Sequence, residues 1–312
     1  MKLIFCGTPQ FAVPTLERLI ADRFTIELAV TNPDEPSGRG YEVKAPPVKR
    51  VAARAGLEIY QPAKLRDPAT REFLSRFRPD AIVVVAYGRI IPPWMIELPR
   101  LGCINLHASL LPKYRGAAPI QWALIQGERK TGVTTMKIDP GMDTGDILLQ
   151  REIEIREGDT TETLMDRLSV LGAALMVETL PKLERGELEP RPQDHTQATL
   201  APMLKKEQGR IDWSMSAEVI ARRVRGLRPW PGAYTSFRGQ NLHVWAAAPW
   251  AGPAPGAAEP GPLVAAGGKL LAACGDETWL ELRELQIEGR KRLAARDFLN
   301  GVRLAPGEKC GA

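Results

Sequence analysis

Cysteine is scarce in this chain of 312 residues: Cys6, Cys103, Cys274 and Cys310 lie far apart, with no CxxC pair. That spacing excludes a zinc ribbon and offers no disulfide framework, so reduced thiols in a cytoplasmic compartment are expected. No apolar run approaches the length of about 20 residues that a membrane-spanning helix needs, and no membrane partner is expected. The chain starts directly on Met1-Lys2-Leu3-Ile4-Phe5, which reads as a strand with no leader segment before it. Glycine-rich phosphate loops are missing too. The first turn, Cys6-Gly7-Thr8-Pro9-Gln10-Phe11-Ala12, has a lone glycine, and Pro9 removes a backbone donor. The dinucleotide fingerprint needs more glycines than this, so NAD is disfavoured; the absence of GxxxxGK[ST] disfavours ATP. Asp139, Asp143 and Asp146 lack the EF-hand spacing and its terminal Glu, and no metal is expected.

What is present fits a globular enzyme. Hydrophobic residues make up 44% of the chain and charged residues 25%, enough for a buried core, and the length predicts two domains. Leu3–Cys6, Thr25–Thr31, Ala81–Ala86 and Cys103–His107 read as strands, and Ala81–Ala86 is apolar throughout, as in a parallel strand covered on both faces. Pro14 suits the first turn of a helix carried by Leu16, Leu19 and Ile20. Thr131–Ile138 and Asp146–Ile155 read as a strand pair around a Gly-rich loop. A helix follows, with Asp159 and Glu162 at capping-box spacing, Leu164, Leu168, Leu171 and Leu175 on one face, and Pro181 expected at its end. Alternating strands and helices predict an α/β fold with an open, mostly parallel sheet over residues 1–189. Residues 190–206 are polar and irregular and read as a linker. Residues 207–312 hold one helix (Ser216–Gly226), short strands (Asn241–Ala246, Lys269–Ala273, Trp279–Leu282) and the Ala-Pro-Gly-rich loop Ala251–Pro262, and predict a small OB-like β-barrel.

The chemistry concentrates in Ile104–Pro119. On a strand Asn105 and His107 point to one side, near the end where open α/β sheets bind ligands. An amide beside an imidazole suits an oxyanion at a carbonyl under attack, although the same pair also fits a hydrogen-bonded structural histidine. The acidic Asp139–Asp146 loop supplies a third group, or a set of turn-forming aspartates.

The run Asn105-x-His107-x-Ser109-Leu110-Leu111-Pro112-x-Tyr114-Arg115-Gly116, with Asp143-x-Gly145-Asp146 downstream, resembles the folate-dependent formyltransferase superfamily. Cys6-Gly7-Thr8-Pro9-x-Phe11-Ala12, Val83–Gly88, Asp212-Trp213 and Arg228-Pro229-Trp230-Pro231-Gly232-Ala233 resemble the branch that formylates methionyl-tRNA, so the likeness spans nearly the whole chain. It implies a Rossmann-like catalytic domain and a C-terminal tRNA-binding domain. The co-substrate would be 10-formyltetrahydrofolate and the acceptor the amine of initiator methionyl-tRNA; no obligate protein partner is implied. Asn105, His107 and Asp143 match the catalytic positions. Asn105 and His107 would donate to the oxyanion of a tetrahedral intermediate, while Asp143 would orient the imidazole and accept the amine's proton. The folate pocket would involve Tyr87, Gly88, Ile90, Ser109, Leu110, Leu111, Pro112 and Gly141. Cys6 and Cys103 read as small apolar fillers.

The second domain begins basic. Between Lys205 and Arg238 the surplus of basic over acidic residues equals the +5 of the whole chain. Lys205, Lys206, Arg210, Arg222 and Arg225 are the candidate phosphate contacts, the last two pointing away from the stripe Ile220, Val224 and Leu227. A solvated helix face would look the same. Arg39, in Pro36-Ser37-Gly38-Arg39-Gly40, matches the family's tRNA-reading loop. Two rivals stay open on the residues: a formyltransferase or formyl-folate hydrolase acting on another small amine or water, and a non-catalytic RNA-binding protein.

Overall fold

The computed structural model describes residues 1–37, 42–256, 259–305 and 307–311. The chain divides into two compact units. The first comprises Met1–Pro119, Lys130–Glu154 and Met165–Pro202; the second comprises Ile120–Arg129, Ile155–Leu164 and Met203–Ala312.

Among the described residues the first unit holds nine strands: β1 (Lys2–Gly7), β2 (Thr25–Val30), β3 (Glu35–Ser37), β4 (Glu42–Lys44), β5 (Ile59–Tyr60), β6 (Ala81–Val85), β7 (Cys103–His107), β8 (Lys130–Lys137) and β9 (Ile147–Glu154). Seven of them make one sheet in the order β5-β2-β1-β6-β7-β8-β9, while β3 and β4 form a separate hairpin. The first five are parallel, and β8 and β9 extend the edge antiparallel. The continuous apolar runs have the expected cause: every residue of β6 and all but the first of β1 are buried. Helices α1 (Val13–Ala21), α2 (Pro47–Arg54), α3 (Pro68–Ser75) and α4 (Pro93–Ile96) each carry Pro in the first turn, where its missing N–H has no intrahelical partner. Strand order reverses about β1, with β2 on one side and β6 on the other. Such a reversal opens a crevice at the strands' C-terminal ends.

Helices α5 (Pro119–Gln126) and α6 (Thr161–Glu184) follow. The start and end of α6 differ from the sequence expectation. The reciprocal cap is made by Thr160 and Thr163, whose hydroxyls accept from each other's backbone N–H at 3.4 and 3.0 Å, one position beyond the expected pair. Pro181 sits inside the helix rather than ending it. It falls in the last turn, so only one intrahelical bond is lost, and the chain turns away at Gly186, which has φ +70°.

In the second unit, α7 (Ala217–Gly226) and α8 (Ala295–Gly301) pack on one antiparallel sheet. Its strands are β10 (Ala233–Phe237), β11 (Gln240–Pro249), β12 (Leu263–Ala266), β13 (Lys269–Ala273), β14 (Trp279–Ile287) and β15 (Leu293–Ala294). The order is β10-β11-β14-β13-β12, with β15 paired to β14. Alternate positions of β11 and β14 face inward, so Leu242, Val244, Leu280 and Leu282 meet Ile220 and Val224 of α7 and Phe298 of α8 in one core. Among the described residues no helix is long and apolar enough to cross a membrane.

Candidate active site

Strand β7 presents Asn105 half-buried and His107 6% exposed. The Nε2 of His107 lies 2.9 Å from the carbonyl oxygen of Tyr114. A carbonyl only accepts, so this nitrogen carries the proton and Nδ1 is the ring atom left for other partners. Asp143 stands there, its Oδ2 3.6 Å from Nδ1, and the same oxygen accepts the Gly116 N–H at 2.8 Å. The Asn105 amide has no hydrogen-bond partner among the described residues.

Asp143 reaches His107 by an indirect route. Strand β8 runs antiparallel to β7, so it moves away from His107 and ends beside Cys103, where Ile138 N–H donates to the Cys103 carbonyl. The loop after it must therefore turn back. Asp139 shapes the return, accepting from Thr144 Oγ1 at 2.7 and 2.8 Å and from Gly141 N–H at 3.1 Å. Gly145 allows it: a Cβ there would lie 1.9 Å from the Lys137 carbonyl oxygen. Asp143 itself has φ +55°.

The segment after β7 is tied down by side-chain hydrogen bonds. Ser109 Oγ donates to the Lys113 carbonyl, Thr134 Oγ1 to the Ser109 carbonyl, and Gln150 Nε2 to the Leu111 carbonyl, at 2.6, 2.7 and 2.8 Å. Ser109 and Leu111 are buried, whereas Leu110 and Pro112 are half-buried. Around the β6 end, Gly88 is exposed with φ +79° and Ile90 is 79% exposed. Gly141 is exposed on the returning loop, next to Met142 at 59%. Tyr87 is a buried member of the expected pocket set. Its ring is buried in the core with Ile4, Cys6 and Met95, and its carbonyl already accepts from Thr8 Oγ1 and Asn32 Nδ2. Burial without a partner for the hydroxyl pushes its ionisation well above the usual range.

Two residues not expected at the site from the sequence, Arg115 and Gln193, belong to its support. Residues 190–202 are bonded into the first unit: Arg191 exchanges backbone bonds with Ile147, and Thr199 and Ala201 bond the 114–118 backbone. Gln193 thereby reaches the Asp143 loop, donating to the carbonyls of Asp143 and Gly145, and accepts from the buried Arg115 guanidinium. An irregular polar run gives no period by which this docking could be read.

All four thiols are free and buried. Cys6 is pushed well up by burial, and Cys103, Cys274 and Cys310 are each pushed up to about 12 by burial, so the nucleophilic thiolate is disfavoured. Among the described residues no cluster of His, Cys, Asp and Glu could hold a metal ion.

In the second unit Lys205, Lys206 and Arg210 are exposed around a short 3-10 turn, Lys206–Gly209. Arg222 and Arg225, the candidate phosphate contacts on α7, already have partners within this unit. Arg222 bonds Glu218 at 2.9 Å and lies over Gly127, where a Cβ would come 2.4 Å from its Nη1. Arg225 is half-buried and its Nη1 donates to the carbonyls of Glu157 and Asp159 at 2.9 and 3.2 Å. That burial lowers its pKa from the ordinary arginine value. Arg39 lies outside the described residues.

A mostly parallel α/β unit is followed by a wholly antiparallel one. The formyl transferase family model matches residues 1–180, and the model of the formyl transferase C-terminal domain matches residues 203–303. Over its full length the chain is 55% identical to the methionyl-tRNA formyltransferase of Acidobacterium capsulatum, covering 100% of both chains. The chain belongs to the methionyl-tRNA formyltransferase family. Its fold matches the crystal structure of an N-formyltransferase from Helicobacter canadensis in complex with folinic acid and dTDP-3-aminofucose. That match has a TM-score of 0.68 at 17% identity, covering 90% of this chain and 98% of the other. It also matches methionyl-tRNA formyltransferase from Clostridium thermocellum, with a TM-score of 0.58 at 20% identity, covering 92% and 98%.

Proposed function

We propose that this protein transfers the formyl group of 10-formyltetrahydrofolate to the α-amino group of initiator methionyl-tRNA. The observation that carries the chemistry is the meeting of an unspent Asn105 amide, a His107 ring with Nδ1 turned from its anchor, and Asp143 3.6 Å from that nitrogen. Family membership over the whole chain supports the acceptor. What supports a folate here is that Asn105 and His107 lie two apart on one strand, and that the exposed apolar Ile90 and Met142 lie on loops adjoining the expected pocket.

The folate supplies a formyl group whose nitrogen is a competent leaving atom. As the amine attacks, negative charge grows on the formyl oxygen. The Asn105 amide would donate to that oxygen, as would Nδ1 of a His107 ring protonated on both nitrogens, and each such donor lowers the barrier by about 2.7–4 kcal/mol. Asp143 would hold the imidazole by its carboxylate and take the proton that the amine must lose, directly or through water. Both acts depend on Asp143 keeping its place, which the Gly116 N–H fixes from one side. Exposed Lys205, Lys206 and Arg210, with Arg39, would contribute sequence-independent attraction for tRNA phosphates.

The test is a formylation assay with 10-formyltetrahydrofolate and methionine-charged initiator tRNA, using charged elongator tRNA and free methionine as controls. Formyl-methionyl product from the initiator alone is expected. Folate turnover without transfer to tRNA would move the acceptor to another amine or water, and no folate turnover would overturn the enzyme reading.

A further inference from the structure

The loop that carries Asp143 is not held by its own sequence alone. It returns against the direction of β8, and Asp143 adopts φ +55°, a backbone conformation L side chains rarely take. Two of its carbonyls converge on one side-chain amide: Gln193 Nε2 donates to the Asp143 oxygen at 2.9 Å and to the Gly145 oxygen at 2.8 Å. Gln193 is 5% exposed and comes from a stretch whose sequence reads as a linker.

The other end of the amide is fixed as firmly. Gln193 Oε1 accepts from Arg115 Nε at 3.1 Å and Nη2 at 2.7 Å. Arg115 is 6% exposed, and its Nη2 also lies 3.2 Å from His195 Nδ1. No carboxylate pairs with it among the described residues. A guanidinium only donates and a carbonyl only accepts, so the Gln193 amide has one allowed orientation. A buried cation spends its donors on orienting a neutral amide, and that amide spends both of its protons on the catalytic loop.

We propose that Gln193, oriented by Arg115, is a positioning residue for formyl transfer, holding the returning loop so that the Asp143 carboxylate stays beside His107. This rests on the reading of Asp143 as a catalytic residue. Its partners in sequence explain why the pair acts together: Arg115 follows the Tyr114 carbonyl that anchors His107 and precedes the Gly116 N–H that anchors Asp143.

Gln193→Glu separates positioning from packing. The variant keeps the shape and gives Arg115 a carboxylate, so the buried cation stays paired. It removes both N–H donors and sets negative charge against two carbonyl oxygens. Turnover is expected to fall on the order of 10²-fold, the loss typical of a misplaced reacting group. The KM for the folate should stay within about threefold, because the lost interaction acts on the reacting step. Amide exchange at Gly116, whose N–H is capped by Asp143, should speed by about tenfold or more as the loop opens. In an Asp143→Asn background, Gln193→Glu should cost nothing further, since residues acting through one group are not additive. Wild-type turnover with unchanged Gly116 exchange, or an equal loss in both backgrounds, would overturn the proposal. If the unmodified protein transfers no formyl group, the catalytic reading itself fails, and Gly116 exchange alone then decides whether Gln193 holds the loop.

Discussion

Two polar clusters in this molecule, the crevice around Asp143 in the first unit and the basic face of α7 in the second, use their hydrogen bonds in opposite ways. Around Asp143 the supporting groups are saturated and the proposed reactive ones are not. Arg115, Gln193 and the Gly116 N–H have their partners, while the Asn105 amide has none among the described residues and His107 offers one nitrogen. Along α7 the charged groups themselves are occupied: Arg222 by Glu218, Arg225 by two backbone carbonyls, and Arg223 by the Gln208 carbonyl at 2.7 Å. Charge density is therefore a poor guide to a site. What sets the proposed site apart is polar groups left over after their surround has been satisfied.

The comparison can be broken most forcefully at Asp143. Asp143→Asn keeps an oxygen for the Gly116 N–H but cannot take a proton, so turnover should fall by on the order of 10²–10⁴-fold with folate binding little changed. Single-turnover formylation beside a folate-binding titration checks this; near-normal turnover would remove Asp143 from the chemistry. Asn105→Ala comes next, with an expected loss of about 10²–10³-fold. Because the amide supports nothing else among the described residues, the thermal midpoint should hardly move. A large drop in stability with little loss of rate would make Asn105 structural after all.

How much of this was legible in the sequence follows from how each group is held. Strand alternation puts Asn105 and His107 on one side, and apolar runs such as Ala81–Val85 reveal the parallel sheet, because both depend on local period. Asp143 could be placed only by resemblance, since the loop must reverse over its own strand to reach His107. Gln193 was invisible: its partners Asp143 and Gly145 are 50 and 48 residues away, and irregular backbone leaves no pattern. The α7 stripe correctly gave Ile220, Val224 and Leu227 as buried, yet could not show that the carbonyls of residues 157 and 159 meet Arg225 from 68 and 66 positions away. The direction of the Tyr87 ring was hidden for the same reason. Its chain position is next to the crevice, but its ring packs into the core.

On the second unit the expected effects are smaller and of another kind. Arg225→Ala uncaps two carbonyls and removes a half-buried stem, so a loss of about 1–3 kcal/mol is expected. Differential scanning should register it as a lower thermal midpoint, while formylation per folded molecule stays near wild type. A variant of unchanged stability that loses tRNA binding would return Arg225 to the phosphate-binding set.

The finest distinction is between exposed and occupied cations. If Lys205, Lys206 and Arg210 meet phosphates, replacing all three with Ala should lower the slope of log affinity against log salt by about 0.7–0.9 for each phosphate no longer neutralised. Arg222→Ala should leave that slope unchanged, because its guanidinium is already committed to Glu218 and packed over Gly127. Binding titrations with charged tRNA at several salt concentrations measure both. The two variants sharpen the contrast because both remove positive charge from one unit, so a general loss of attraction would lower both slopes alike. A fall in the triple variant only means that attraction depends on cations without internal partners. A fall with Arg222→Ala would mean that the Arg222–Glu218 pair opens on binding, and that its occupied state belongs to the tRNA-free protein.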